Sequence, residues 1–403
     1  MNVWRAERQQ ISKNHIMYGT IKDYCIRSNN MYNFALYTVR QEFINNNNYL
    51  NYYDTQKLLK DSEPYKHLMS QASQCVLQLV DRSFKSYFKA IKDWKKNPSK
   101  YLGMPKLPKY RDKGKPFTWF LKNNQTYIKD GRLYFKLKCM NGYSFKTGVT
   151  GRLIAVRFVP QNNYFTLEII YEKEIEDKTE YNDRIAAIDL GVNNFVTLTN
   201  NVGLQPIVIN GRGIKSVNQY YNKQRAKMMS DLKKRNGLNW SNRLDALNKK
   251  QYNRVHNFMH NSSRFVVDYC KENSIDNLVI GLNKTWKQEC NINDKATQNF
   301  TFIPYDKFIQ QLEYKCQDEG IRISVVEESY TSGTSFLDNE EPIKENYNKK
   351  RRVSRGLFKS NNELLINADV NGSMQIMKKV YPNAFSYGLE GNLTPVVINV
   401  CKM

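Results

Sequence analysis

The stretch Arg184-Ile185-Ala186-Ala187-Ile188-Asp189-Leu190-Gly191-Val192-Asn193-Asn194-Phe195-Val196-Thr197-Leu198 decides the fold. Ile185 to Ile188 is a short continuous apolar run, the pattern of a buried strand, and Phe195 to Leu198 is the next. Further on, Leu278-Val279-Ile280 and Ile321 to Val326 read as two more buried strands. Asn367 to Val380 reads as a helix with an acid at its start. Strands alternating with helices imply an α/β domain from Arg184 onward. Asp189 ends the first strand and precedes Gly191. A carboxylate there, with a glycine that lets backbone approach closely, suits a divalent metal. An Asp that merely opens a turn accounts for the same residue.

Toward the N-terminus the texture differs. Residues 20 to 100 read as helical, with Ala35, Leu36, Val39 and Phe43 at helical spacing, and again Val76, Leu77, Val80, Phe84, Tyr87, Phe88 and Ile91. Asn97-Pro98 ends the second pattern. Gly103 to Arg111 holds two prolines and several cations and is an extended basic linker. Short strand-like runs follow. Asp130-Gly131 is a hairpin signal between Tyr127-Ile128 and Leu133 to Phe135, and Leu153 to Val159 pairs with Tyr164 to Tyr171. This region has the look of a small β-barrel or sandwich, and the Lys/Glu-rich residues 172–183 mark a boundary.

Charge narrows the function. Among 403 residues, 62 Lys and Arg stand against 38 Asp and Glu, a net charge of +24. Phosphate backbones are the usual balance for such an excess. The 27 Tyr and 19 Phe that accompany it supply stacking surfaces. Within the helical stretch 214–272, cations greatly outnumber acids: Lys223, Arg225, Lys233, Lys234 and Arg235 fall on its first half. A solvated face usually mixes both signs, so a hairpin that tracks nucleic acid is the better reading. No run of eighteen apolar residues suggests a membrane span, and the start, Met1 to Arg5, lacks a secretion signal. The seven cysteines form no CxxC pair, as expected of thiols in a reducing cytoplasm. His256 and His260 share a helical face, but no third metal ligand accompanies them.

Ile188 to Asn194 resembles the first RuvC motif of the TnpB (OrfB-type) nucleases, and Asn367-Ala368-Asp369-Val370-Asn371-Gly372 resembles the third. Leu278 to Gln288, Glu327-Glu328-Ser329-Tyr330-Thr331-Ser332 and Gly103 to Tyr110 are also similar to segments of that family. Order and spacing agree from about residue 20 to residue 380. The resemblance implies an α+β multidomain protein. Residues 1–20 and 103–180 would form a β-barrel (wedge) domain, and 21–102 a helical recognition domain. Residues 181–403 would form a split RuvC-like domain of RNase H-like fold, with a basic helical insertion at 214–272 and a cysteine-free, ribbon-like insertion at 332–364. It further implies an RNA-guided DNA endonuclease, with guide RNA and double-stranded DNA as partners. A prokaryotic cytoplasm, at the nucleoid, is the expected location; the oligomeric state is left open, with a monomer expected first.

Two departures bear on the site. Most of the family ends the second-motif strand in a glutamate, where this chain has Gly281. Glu327 or Glu328, at the end of a strand that can lie alongside, would replace it, and alternation lets only one of the two face the site. Many relatives carry CxxC pairs before the last Asp, whereas Ser332 to Asn367 contains no cysteine, so no structural zinc is expected. By resemblance, Asp189, Asp369 and one of Glu327 and Glu328 would hold two Mg²⁺ ions, or Mn²⁺, roughly 4 Å apart for in-line phosphodiester hydrolysis. Lys106, Lys109, Arg111, Lys287, Lys349, Lys350, Arg351 and Arg352, with the cations of 214–272, would contact nucleic acid. Three alternatives remain at this point: an inactive RNA-guided repressor, a compact type V CRISPR effector, and a DNA-strand-transferring transposase.

Overall fold

A computed structural model describes residues 1–140, 142–283, 302–354, 356–386 and 391–401. Lys287 therefore lies outside the described residues. The chain divides into two compact units, Met1–Glu174 and Ile175–Met403.

The first unit opens with strand β1 (Asn2–Ser12). Helices α1 (Tyr18–Asn46), α2 (Tyr52–Leu59), α3 (Glu63–Leu68) and α4 (Ser70–Lys96) follow. The chain turns between α3 and α4 at Met69, whose φ of 77° breaks the helical run. Ala35, Leu36 and Val39 of α1 pack with Val76, Leu77, Val80 and Phe84 of α4 in one core. Then come β2 (Trp119–Lys122), β3 (Thr126–Lys129), β4 (Arg132–Phe135), β5 (Ser144–Lys146), β6 (Arg152–Pro160) and β7 (Tyr164–Glu174). Asp130 and Gly131, at φ 49° and 66°, form the tight turn joining β3 to β4, since a two-residue hairpin of this hand needs positive φ at both positions.

The expected barrel does not close. The strands form an open sheet in the order β1-β7-β6-β2 and a separate three-stranded sheet, β3-β4-β5. β1 matches all eleven residues of β7, whereas β2 offers an edge of only four. An edge that short cannot carry the ladder that closure against β1 would need.

The second unit is built on a six-stranded sheet. Its strands are β8 (Ile185–Leu190), β9 (Asn194–Asn200), β10 (Ile207–Asn210), β11 (Asn277–Gly281), β12 (Arg322–Val326) and β16 (Val396–Ile398), in the order β12-β11-β8-β9-β10-β16. β9 runs antiparallel to both of its neighbours, β8 and β10, while β11 and β12 run parallel to β8. This is the RNase H-like arrangement anticipated from the motifs. Between β10 and β11 the basic stretch forms two helices, α5 (Arg212–Asn236) and α6 (Asn242–Glu272). Gly237, left-handed at φ 63°, ends α5, and the Ser241 hydroxyl caps α6 by accepting from Leu244 N–H. α7 (Tyr305–Asp318) precedes β12. A small sheet of β13 (Arg352–Ser354), β14 (Leu357–Lys359) and β15 (Leu365–Asn367) leads directly into α8 (Ala368–Val380).

Side chains alternate across the sheet. Ala186, Ile188 and Leu190 point into a core shared with Val255, Phe258, Val266 and Val267 of α6 and Phe308 and Leu312 of α7. Ile185, Ala187 and Val279 point the other way, against Ile376 and Met377 of α8. The strand Ile321–Val326, expected to be buried, is an edge strand. Its residues 322–326 are half-buried or exposed, with Val325 43% exposed, because among the described residues no strand flanks β12 on its outer side.

Candidate active site

The same alternation places the acids. Asp189 is two residues beyond Ala187, so it lies on the face of the sheet that α8 covers. A Cβ on Gly372, one turn into α8, would come within 3.1 Å of Asp189 Oδ2, so the missing side chain leaves room for that carboxylate. Gly281 ends β11 on the same face, one step past the pair Ile280–Ile188 and opposite Val326 of β12. Val326 packs toward α8. Glu328, two residues on, keeps that direction, and its Oε2 lies 3.3 Å from where a Gly281 Cβ would be. Glu327 is exposed.

Asp369 stands in the first turn of α8. The Asn367 side chain caps that helix by accepting from Asp369 N–H and Val370 N–H. Asn194, at the start of β9, donates from Nδ2 to Asp369 Oδ2 at 2.7 Å. The Arg352 guanidinium, on β13, reaches Asp369 Oδ1 at 3.3 Å.

Asp189 feels both of the other acids. Asp189 retains some surface but is enclosed on most sides. Burial pushes its carboxyl well above the ordinary range, the charges of Glu328 and Asp369 push it further, and Arg352 pulls the other way. Tyr305, whose hydroxyl donates to Gly191 O at 2.8 Å, is raised by burial and then by Asp189 and Glu328. Lys379 donates to Glu327 O and Ser329 O, both at 2.8 Å, and so fixes the backbone that carries Glu328. Burial lowers the Lys379 ammonium, with Glu327 and Glu328 opposing. Carboxylate oxygens brought toward one another from three elements are hard donors of the kind that Mg²⁺ and Mn²⁺ take. Among the described residues no three His, Cys, Asp or Glu side chains form a ready-made metal shell, since Asp369 directs its oxygens to Asn194 and Arg352.

Of the acids singled out in the sequence, then, Asp189, Glu328 and Asp369 come together and Glu327 does not. Glu328 shares the parity of Val326, so the choice follows once the packing of Val326 toward α8 is known. Asn194, Gly372 and Tyr305 were not singled out, although Asn194 lies within the first motif itself. The cations divide. Lys106, Lys109, Arg111, Lys223, Arg225, Lys233, Lys234, Arg235, Lys349 and Lys350 are exposed. Arg351 is only 17% exposed and pairs with Glu340 at 2.7 Å, and Arg352 faces Asp369, so both have partners inside the fold. His256 and His260 lie ring against ring, 4.4 Å between centroids.

Residues 168–287 match the family described as "Probable transposase" (OrfB_IS605), and residues 305–376 match the Cas12f1-like TNB domain. These two segments carry the likeness to OrfB-type transposases and to Cas12f1-like proteins. No curated protein matches the chain. Among solved structures it is similar to the Cas12f1–sgRNA–target DNA complex, with a TM-score of 0.51 at 14% identity over 89% of this chain and 82% of that one. That likeness concerns the fold. The mini-RNA-guided endonuclease CRISPR-Cas_phi3 is also matched, with a TM-score of 0.48 at 10% identity over 97% and 94% of the two chains. Among the described residues no helix is long and apolar enough to cross a membrane.

Proposed function

We propose that this protein is a TnpB-type, RNA-guided DNA endonuclease that hydrolyses phosphodiester bonds. The observation that carries the reading is the gathering of Asp189, Glu328 and Asp369 on one face of the sheet, with Glu328 beside the side-chain-free Gly281. Asp189, Glu328 and Asp369 would hold two divalent cations, Mg²⁺ or Mn²⁺. Bound there, such ions would supply water activation and charge stabilisation at the leaving 3′ oxygen. Asn194 and the Asn367 cap orient Asp369, and Lys379 holds the turn that presents Glu328.

Guide RNA and double-stranded target DNA are the partners in this reading. The net charge of +24 and the exposed cations of α5 support it, because a guide–target duplex is held by its backbone while base pairing reads sequence. The helices of 21–102 and the strands of 103–180 would grip that duplex and the RNA scaffold. The test is to sequence the RNA that co-purifies with the protein and to rebuild the complex with a guide of chosen sequence. The complex is then challenged in Mg²⁺ with matched and unmatched plasmids. Cutting of the matched plasmid alone is expected. Binding without cutting would instead favour a guided repressor, and recovery of random cellular RNA would defeat the guided reading.

A further inference from the structure

Between Ser332 and Asn367 the chain has no cysteine, yet the segment is firmly braced. Glu340 and Arg351 form a pair at 2.7 Å, with only 15% and 17% of their side chains exposed. Asn361 closes the group, accepting from Arg351 Nη2 at 2.6 Å and donating to Glu340 Oε1 at 3.1 Å. Ser335 N–H donates to Glu340 Oε2 at 2.8 Å. The backbone of Glu340 is tied to α8, since Gln375 Nε2 and Lys378 Nζ both donate to its carbonyl, at 3.2 and 3.3 Å. Arg352 is the next residue after Arg351, and it returns to Asp369 at the start of the same helix.

The contacts thus form a closed circuit. It leaves α8 at Gln375 and Lys378, passes through Glu340 and Arg351, and comes back to α8 at Asp369 through Arg352. We infer that Glu340 and Arg351 are positioning residues that hold the Arg352 guanidinium on Asp369, so that this small cysteine-free subdomain sets the affinity of the acid pocket for divalent cations. The physical reason is simple. A guanidinium beside Asp369 offsets part of the negative charge that attracts a cation, and Arg351, half-buried and held at one nitrogen by Glu340 and at the other by Asn361, fixes its neighbour more tightly than an exposed side chain would. The inference rests on the metal-site reading given above.

Its test is titration of the full-length protein, with its co-purified RNA, with Mn²⁺ followed by the EPR signal of the free ion. Uptake by a D189N variant supplies the background. R352Q is expected to tighten Mn²⁺ binding by about tenfold, an order-of-magnitude figure for removing one nearby, partly screened charge. E340Q is expected to do the same, and the E340Q/R352Q double variant no more than either alone, because both changes remove one interaction. R351K keeps the charge and loses the fork, and a smaller shift in the same direction is expected. Independent, additive effects, or E340Q and R351K at wild-type affinity, overturn the inference while leaving the metal site standing. Wild-type uptake equal to that of D189N overturns the metal-site reading and this inference together.

Discussion

A Cβ on Gly281 would overlap Ile376 Cδ1 and stand 3.3 Å from Glu328 Oε2. The position at which most of the resembled family places a glutamate is therefore filled from two sides, by α8 and by the acid after β12. The loss of one carboxylate and the presence of the other are linked by space as well as by charge. Gly281→Ala should lower stability by about 1–3 kcal/mol, the usual cost of overpacking a closed site, as read by thermal unfolding. Gly281→Glu should fail to restore cutting to a Glu328→Gln protein, since the longer side chain has nowhere to go. A Gly281→Glu/Glu328→Gln double variant that cuts matched plasmid would contradict this arrangement.

At the scale of elements, α8 matters most, because its first turn carries Asp369. Asn367→Ala removes the cap that accepts from two N–H groups and should cost about 1 kcal/mol in thermal unfolding. The packing of α6 against α7 carries a pH signature. Lys315 on α7 is 5% exposed and donates to His260 O and Ser263 Oγ of α6, at 2.8 and 2.7 Å. Burial pushes its ammonium down from its ordinary value of 10.5 to about 8. Between those two values the unfolded chain holds the extra proton, so folding gains stability as pH rises through that window. Below it both states are charged and the full cost of burying the charge remains. Lys315→Met should therefore melt higher than wild type near about pH 7, with the advantage shrinking toward about pH 10. A constant difference across pH would contradict it. Much of the element list was legible in the sequence. The apolar runs of β8, β9 and β11, the turn at Asp130-Gly131, and the helix after Asn367 each carry a local signal. What was not legible is pairing at a distance. Nothing near Asn2 announces that β1 will match β7 more than 150 residues away, or that β16 will extend the sheet beside β10. The sheet β13–β15 was missed because its strands have three residues each, too few to show a period. In the site, the two aspartates were legible from their motifs. The choice between Glu327 and Glu328 depended on which way Val326 faces, and that is set by α8 rather than by the strand itself.

For the whole molecule, the net charge of +24 makes binding of a polyanion its dominant electrostatic property. Affinity for guide RNA should fall by about 10³-fold or more between roughly 50 and 200 mM salt, as measured by filter binding. Neutralising the exposed Lys233, Lys234 and Arg235 on α5 should reduce the salt slope, and an unchanged slope would remove that helix from the interface. Binding and cutting are separable in this account. The cations that hold the polyanion lie on exposed helices and loops, whereas the acids that would do the chemistry lie between the sheet and α8. The most direct measurement compares wild type, Glu327→Gln, Glu328→Gln and Asp189→Asn as guide-loaded complexes on a matched plasmid in Mg²⁺. The account predicts that wild type and Glu327→Gln cut, while Glu328→Gln and Asp189→Asn bind equally well and cut at least about 100-fold more slowly. A Glu328→Gln protein that cuts like wild type would contradict it.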